Sequence, residues 1–180
     1  MSKDFRHLDY SSSSLLRLNL TERQLCDLEL IMNGGFSPLK GFLNKEDYEG
    51  VVTKMRLADG KLWSIPVILD VKNTNNYTIR QKLMLCDEYG KLLAFFTIES
   101  IYEPNKQLEA EKVYGTTDIT HFGVNQLFYN TGKYYLGGKI KRINNVDRYD
   151  FVEYRYSPKQ LKQVFKKLGW KKIIGFQTRN

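Results

Sequence analysis

The chain has 180 residues, 42% of them hydrophobic and 27% charged, enough for one well-buried domain and a fragment of a second. That balance excludes a disordered or fibrous chain, and no run of about 18 apolar residues is present to cross a membrane as a helix. The net charge is +8, but the last thirty residues hold eight basic side chains and one acidic, so a basic face spread over the whole chain is excluded too.

In chain order, residues 1–17 (MSKDFRHLDYSSSSLLR) are polar with a serine run and predict a flexible arm. They contain no apolar segment leading to a small-residue cleavage site, so no secretory signal is expected. Thr21-Glu22-Arg23-Gln24 fits a capping box, and Leu25, Leu28, Ile31 and Met32 follow on one helical face. Asn33-Gly34-Gly35 stops that helix. The stretch Asn33–Leu39 lacks the lysine and glycine spacing of a phosphate-cradling loop, so helix cap plus turn is the expected reading. Phe36, Leu39 and Phe42 are candidates to pack this domain against another. A second helix is predicted over Lys45–Met55.

From residue 57 the period becomes strand-like. Asp59-Gly60 signals a hairpin, and Leu62–Val71 reads as a strand with Pro66 at an edge or bulge. Lys82–Cys86 and Lys91–Tyr102 should pair across Asp87–Gly90. Tyr134–Ile143 is a further strand, with Gly137-Gly138 marking a bulge or close approach. The expected class is mainly β (α+β), a small curved sheet or partial barrel with peripheral helices. Cys26 and Cys86 sit in apolar surroundings and are expected to be reduced core thiols of a cytoplasmic protein. His7 and His121 lie too far from them and from each other for a zinc site, and His121 reads as structural.

A boundary is predicted at Tyr156-Ser157-Pro158. Ser157 caps a helix whose stripe is Leu161, Val164, Phe165 and Leu168, ended by Gly169. Lys159, Lys162, Lys166, Lys167, Lys171 and Lys172 carry most of the charge excess. They read first as a solvated helix face and second as a field attracting polyanions. Trp170–Phe176 is then an expected strand, leading to Gln177-Thr178-Arg179-Asn180. Ligand chemistry collects at such carboxyl ends in α/β layers.

The stretches LTERQLCDLELIMNGGFSPLKGFLNKEDYEGVV, MRLADGKLWSIPVILDV, YEPNKQLEAEKVYGTTDITH, YLGGKI and GFQTRN occur in that order. Together they resemble the ATP sulfurylases (sulfate adenylyltransferases) from about Leu18 to Asn180. The resemblance implies a PUA-like β-barrel over 18–156 and, over 157–180, the truncated start of a Rossmann-like α/β nucleotidyltransferase domain. Residues 1–17 take no part. It also implies ATP and sulfate as substrates, with magnesium accompanying ATP, and a homo-oligomer for the complete enzyme. No cofactor or metal is expected on this portion, and neither a membrane nor nucleic acid is an expected partner.

The family's active-site loop begins Gln-x-Arg-Asn, matched by Gln177, Thr178, Arg179 and Asn180. By resemblance Gln177 and Arg179 bind sulfate or ATP, and Thr178, Arg179 and Asn180 are catalytic. The family continues with a proline and two histidines three residues apart, which this chain does not contain, so the chain alone is expected to be inactive. Phe122 stands where relatives often place a proline after the histidine. An RNA-binding PUA-like module, or a domain- or subunit-contact module, remains the alternative.

Overall fold

The computed structural model describes residues 15–176. Its first element, β1 (Leu16–Asn19), lies parallel to β4 (Lys82–Cys86), with Leu16 opposite Leu83 and Asn19 opposite Cys86. Most of the predicted arm falls outside the described residues. Leu16 and Arg17, however, belong to the sheet, so β1 takes in the last two residues of the predicted arm. Alternating burial explains this: Leu16 and Leu18 turn towards the core while Arg17 and Asn19 face outward.

Helix α1 (Glu22–Asn33) forms as its sequence dictates. The Thr21 hydroxyl accepts the Gln24 N–H, the Gln24 side chain accepts the Thr21 N–H at 3.0 Å, and Gly34 closes the helix at φ 86°. Leu28 and Ile31 are buried. The residues after the helix run into β2 (Gly41–Phe42) and then α2 (Lys45–Lys54), which Asn44 caps through the Asp47 N–H at 2.9 Å.

The expected strand over Leu62–Val71 is a correction. Only Leu69–Val71 (β3) forms a ladder, while Arg56 and Leu62 meet in an isolated bridge around the Asp59-Gly60 turn. Pro66 offers no N–H, and the flanking groups are satisfied one at a time: the Trp63 N–H by Met55 and the Val67 carbonyl by Leu43.

β4 and β5 (Leu92–Tyr102) form the predicted hairpin, with Gly90 at φ 83° in its turn. Two short helices follow, α3 (Lys106–Glu109) and α4 (Phe122–Asn125), each extended by five π-helical residues, Ala110–Tyr114 and Gln126–Asn130. Sequence reading missed both. Their shared core is only Ala110, Val124 and Leu127, too few positions to print a helical period.

β6 (Tyr134–Arg142) organises the sheet. One edge runs along β5; the other pairs with β3 through Leu136 and then with β2 through Gly138 and Lys139. The order is β1-β4-β5-β6-β2, with β3 also on β6. The predicted Gly137-Gly138 irregularity sits where β6 changes partner, opposite a register shift at Ile98–Ser100 of β5. A Cβ on Gly138 would overlap the Thr97 carbonyl oxygen, and one on Gly41 the Gly138 carbonyl oxygen, so both positions require glycine.

The main core gathers Leu28, Leu69, Leu83, Leu85, Phe96 and Leu136 between α1 and the sheet. Each contributes roughly 1.5–3 kcal/mol by leaving water. Phe42 is fully part of it, and Phe36 and Leu39 pack on its margin, Phe36 edge-on to Trp63. Phe42 therefore serves this domain's own core rather than an interface, a second correction, while Phe36 and Leu39 stay partly exposed at its edge. A third concerns the thiols: Cys86 is buried, but Cys26 lies on the outer side of α1 and is exposed.

Beyond β6 the chain runs without regular pairing to α5 (Pro158–Lys167). The segment Trp170–Phe176 is not a strand. No neighbouring strand lies beside it among the described residues to take up its backbone groups, and without a ladder an apolar run cannot hold β structure.

Candidate functional site

The predicted site residues are delivered by α5 and the segment after it. Ser157 accepts the Gln160 N–H, and the Gln160 side chain accepts both the Ser157 N–H at 2.9 Å and its hydroxyl at 2.7 Å. Pro158 occupies the first turn, where a missing N–H does no harm. At the far end Gly169 takes φ 69°, and the Trp170 N–H returns to the Phe165 carbonyl at 3.0 Å while the two rings stack at 5.8 Å. This fixes how the chain leaves the helix. Gln177, Thr178, Arg179 and Asn180 follow and lie outside the described residues.

Three lysines of α5, Lys159, Lys162 and Lys166, line a cleft of about 500 Å3 facing the end of α1 at Asn33, Gly34 and Ser37. No carboxylate lines it, and among the described residues none of the six lysines between 159 and 172 is ion-paired. The first turns of α5 thus present unneutralised positive charge. The helix's apolar stripe is only half covered: Val164 and Phe165 are partly buried, Leu161 and Leu168 exposed.

A second polar centre, invisible in the sequence, lies inside the sheet domain. Glu109 is buried, and its carboxylate accepts the hydroxyls of Tyr48 at 2.7 Å and Tyr135 at 3.5 Å. Tyr102 completes a three-ring cluster with centroids 5.4–5.7 Å apart and donates its hydroxyl to the Leu43 carbonyl. Burial pushes the Glu109 carboxyl up, against the pull of the two hydroxyls and of Lys106, and burial also raises all three phenols. Lys106 donates to the Thr131 carbonyl at 2.7 Å, and burial lowers its pKa.

Nearby, Asp70 accepts from the Gly132 N–H at 2.6 Å, the Gln24 amide at 2.8 Å and the Arg23 guanidinium. Arg23 is shared with Asp27, 3.0 Å away, whose carboxyl burial pushes up to about 6 against the attraction of that guanidinium. Every donor here has an acceptor; among the described residues no buried side-chain polar atom lacks a partner. A satisfied network stiffens a fold and leaves no acid, base or nucleophile free, so this centre is structural. No group of three or more potential metal ligands occurs among the described residues. His121 caps α4 by accepting the Val124 N–H at 3.4 Å and leans on Tyr114, the structural role expected for it.

Comparison with known proteins matches these parts in order. Residues 2–145 match the family described as PUA-like domain, and residues 152–180 match the family described as ATP-sulfurylase. Sulfate adenylyltransferase of Gibberella zeae is 48% identical over 178 residues, covering 96% of this chain and 31% of that protein. The Schizosaccharomyces pombe sulfate adenylyltransferase is 42% identical over 177 residues, covering 96% and 36%. Among solved structures, the hexameric APS kinase from Thiobacillus denitrificans superposes with a TM-score of 0.67 at 25% identity, over 87% of this chain and 27% of that one. The chain therefore spans about a third of the length of the curated relatives it matches. It belongs to the PUA-like domain family, and its residues 152–180 are similar to the ATP-sulfurylase family.

Proposed function

We propose that this chain supplies the PUA-like domain and the opening of the nucleotidyltransferase domain of an enzyme that converts ATP and sulfate to adenosine 5′-phosphosulfate and pyrophosphate. The observation that carries this reading is the succession of the two family matches along one chain, together with 48% identity across 96% of its length.

In that reaction a sulfate oxygen forms a bond to the α-phosphorus, and the bond from that phosphorus to the bridging oxygen breaks. Pyrophosphate departs with the electron pair. Sulfate is a weak nucleophile, so the protein contributes by orienting two anions and by matching the charge that develops between them. Magnesium enters with ATP as part of the substrate and neutralises the leaving phosphates.

Arg179 presents a forked, permanently charged donor to sulfate or phosphate oxygens. Gln177 donates its amide N–H to sulfate, Asn180 adds a neutral donor, and Thr178 donates or holds the loop. The lysines of α5 add unpaired positive charge shortly before these residues in the chain. The chain by itself is inactive, because the family's following proline and histidine pair are not in it. The parent protein works as a homo-oligomer in the cytoplasm, where the two free thiols suit a reducing environment.

The test is pyrophosphate release from ATP plus sulfate. A polypeptide that carries this sequence followed by the downstream two thirds of a relative should turn over, and the 180-residue chain should not. Turnover by the shorter chain, or none by the longer, overturns the proposal.

A further inference from the structure

We infer that the sheet domain carries a binding site for a purine mononucleotide, in the cavity where the facing lysines Lys72 and Lys133 meet Tyr77.

This cavity has a volume of about 590 Å3 and opens where the end of β3 faces the start of β6. Its size lies within the roughly 300–1,000 Å3 of small-ligand pockets. The β3–β6 ladder pairs Val71 with Tyr134, so one step further Lys72 stands opposite Lys133. Like charges at facing positions destabilise a strand pair unless something neutralises them. Lys133 has one loose partner, Glu103 at 3.6 Å, and Lys72 forms no ion pair among the described residues. Asp70 is the one carboxylate among the described residues lining the cavity, and it is taken up by Arg23, Gln24 and the Gly132 N–H. Two ammonium groups at a mouth without a free carboxylate suit a phosphate monoester.

The rest of the wall selects what the phosphate is attached to. Tyr77 is half-buried and packs against the main core, which holds its ring as a fixed surface. Tyr129 stands on the rim, 66% exposed. Ring faces of this kind stack on nucleobases. Three exposed asparagines, Asn19, Asn73 and Asn130, surround the same opening. An asparagine amide presents a donor and an acceptor side by side, the pattern that pairs with N6 and N7 of adenine. Tyr129 and Asn130 both come from the π-helical segment Gln126–Asn130, and such widened turns recur at functional sites. An unphosphorylated sugar would leave the two lysines unanswered, and inorganic phosphate would leave the ring and the amides unused. A purine nucleoside monophosphate engages all three.

The experiment is calorimetric titration of the 180-residue chain with adenosine 5′-monophosphate (AMP), adenosine, ribose 5-phosphate and inorganic phosphate. AMP should bind, with an affinity that falls as salt is raised, and each of the other three should bind at least ~10-fold more weakly. Lys72→Gln combined with Lys133→Gln should weaken AMP at least ~10-fold, flatten its salt dependence and leave adenosine unchanged. Both lysines are exposed, so circular dichroism of that variant should match the parent. Tyr77→Leu should weaken AMP and adenosine alike, while Tyr77→Phe keeps the ring and the binding; should Tyr77→Leu fail to fold, the lysine pair decides alone. Absence of AMP binding overturns the proposal, as does ribose 5-phosphate or inorganic phosphate binding as tightly as AMP. Binding that is lost in Arg179→Ala but kept in the double lysine variant also overturns it, since the ligand would then sit on the terminal residues. A poly(A) strand bound at least ~10-fold more tightly per nucleotide than AMP does the same, the occupant then being a nucleic acid. Turnover enters none of these measurements, so their failure leaves the adenylyltransferase reading untouched.

Discussion

The Tyr48 hydroxyl donates to the Glu109 carboxylate at 2.7 Å and so ties α2 to the end of α3, 61 residues further along the chain. Tyr48→Phe removes the shorter of the two bonds to a buried carboxylate and leaves Tyr135 at 3.5 Å as its remaining phenol donor. The expected loss is about 1–3 kcal/mol, read as a lower melting temperature. Tyr135→Phe should cost less, and the double variant less than the sum, because both act on one oxygen.

Asp27 sets a pH dependence. Its folded pKa is raised from 3.8 to about 6, so the folded chain holds that proton more tightly than the unfolded chain does. Its contribution to stability is complete below about pH 4 and is lost as pH rises through about 6, a change of roughly 2–3 kcal/mol. Glu109 is shifted in the same direction. Urea unfolding at pH 4.5 and pH 8 should show Asp27→Asn with a flatter profile than the parent; an identical slope would remove Asp27 as the cause.

Gly138→Ala places a methyl group on the Thr97 carbonyl, where β5 and β6 cannot separate without breaking their ladder. The expected cost exceeds about 3 kcal/mol, or the variant fails to fold. Gly90→Ala meets no atom within 4 Å and suffers only from φ 83°, for about 1–2 kcal/mol. Thermal unfolding of the two variants tests whether space or backbone conformation decides.

In the longer polypeptide, Arg179→Ala should lower turnover at least ~100-fold while leaving the melting of the PUA-like domain unchanged. Arg179→Lys should recover a small part, since an ammonium keeps the charge and loses the fork. Near-normal pyrophosphate release by Arg179→Ala would take this residue out of the site.

What the sequence made legible was local. Thr21-Glu-Arg-Gln24, Ser157-Pro158 and Gly169 each specify a helix end through bonds reaching no more than five residues, and each forms as read. The β4–β5 hairpin is equally local. The Trp170–Phe176 strand failed because strand formation depends on a neighbour that composition does not reveal. Glu109 and Asp70 escaped notice for the same reason: their partners lie 61, 46 and 62 residues away, and the first of two glutamates inside KQLEAEK looks like any solvated charge. The proposed site residues Gln177, Thr178, Arg179 and Asn180 were reached through family likeness, since four polar residues alone carry no period and no geometry.

β6 is hydrogen-bonded to β5, β3 and β2, all of which precede it in sequence. On the ribosome, those three strands therefore emerge without the template that aligns them. The β1–β4–β5 part of the sheet can pair earlier, but the registers of β2 and β3 in the sheet cannot be set until residues near 142 clear the exit tunnel. A synthesis pause just after β6 would give that step time, ahead of the apolar stretch that comes next.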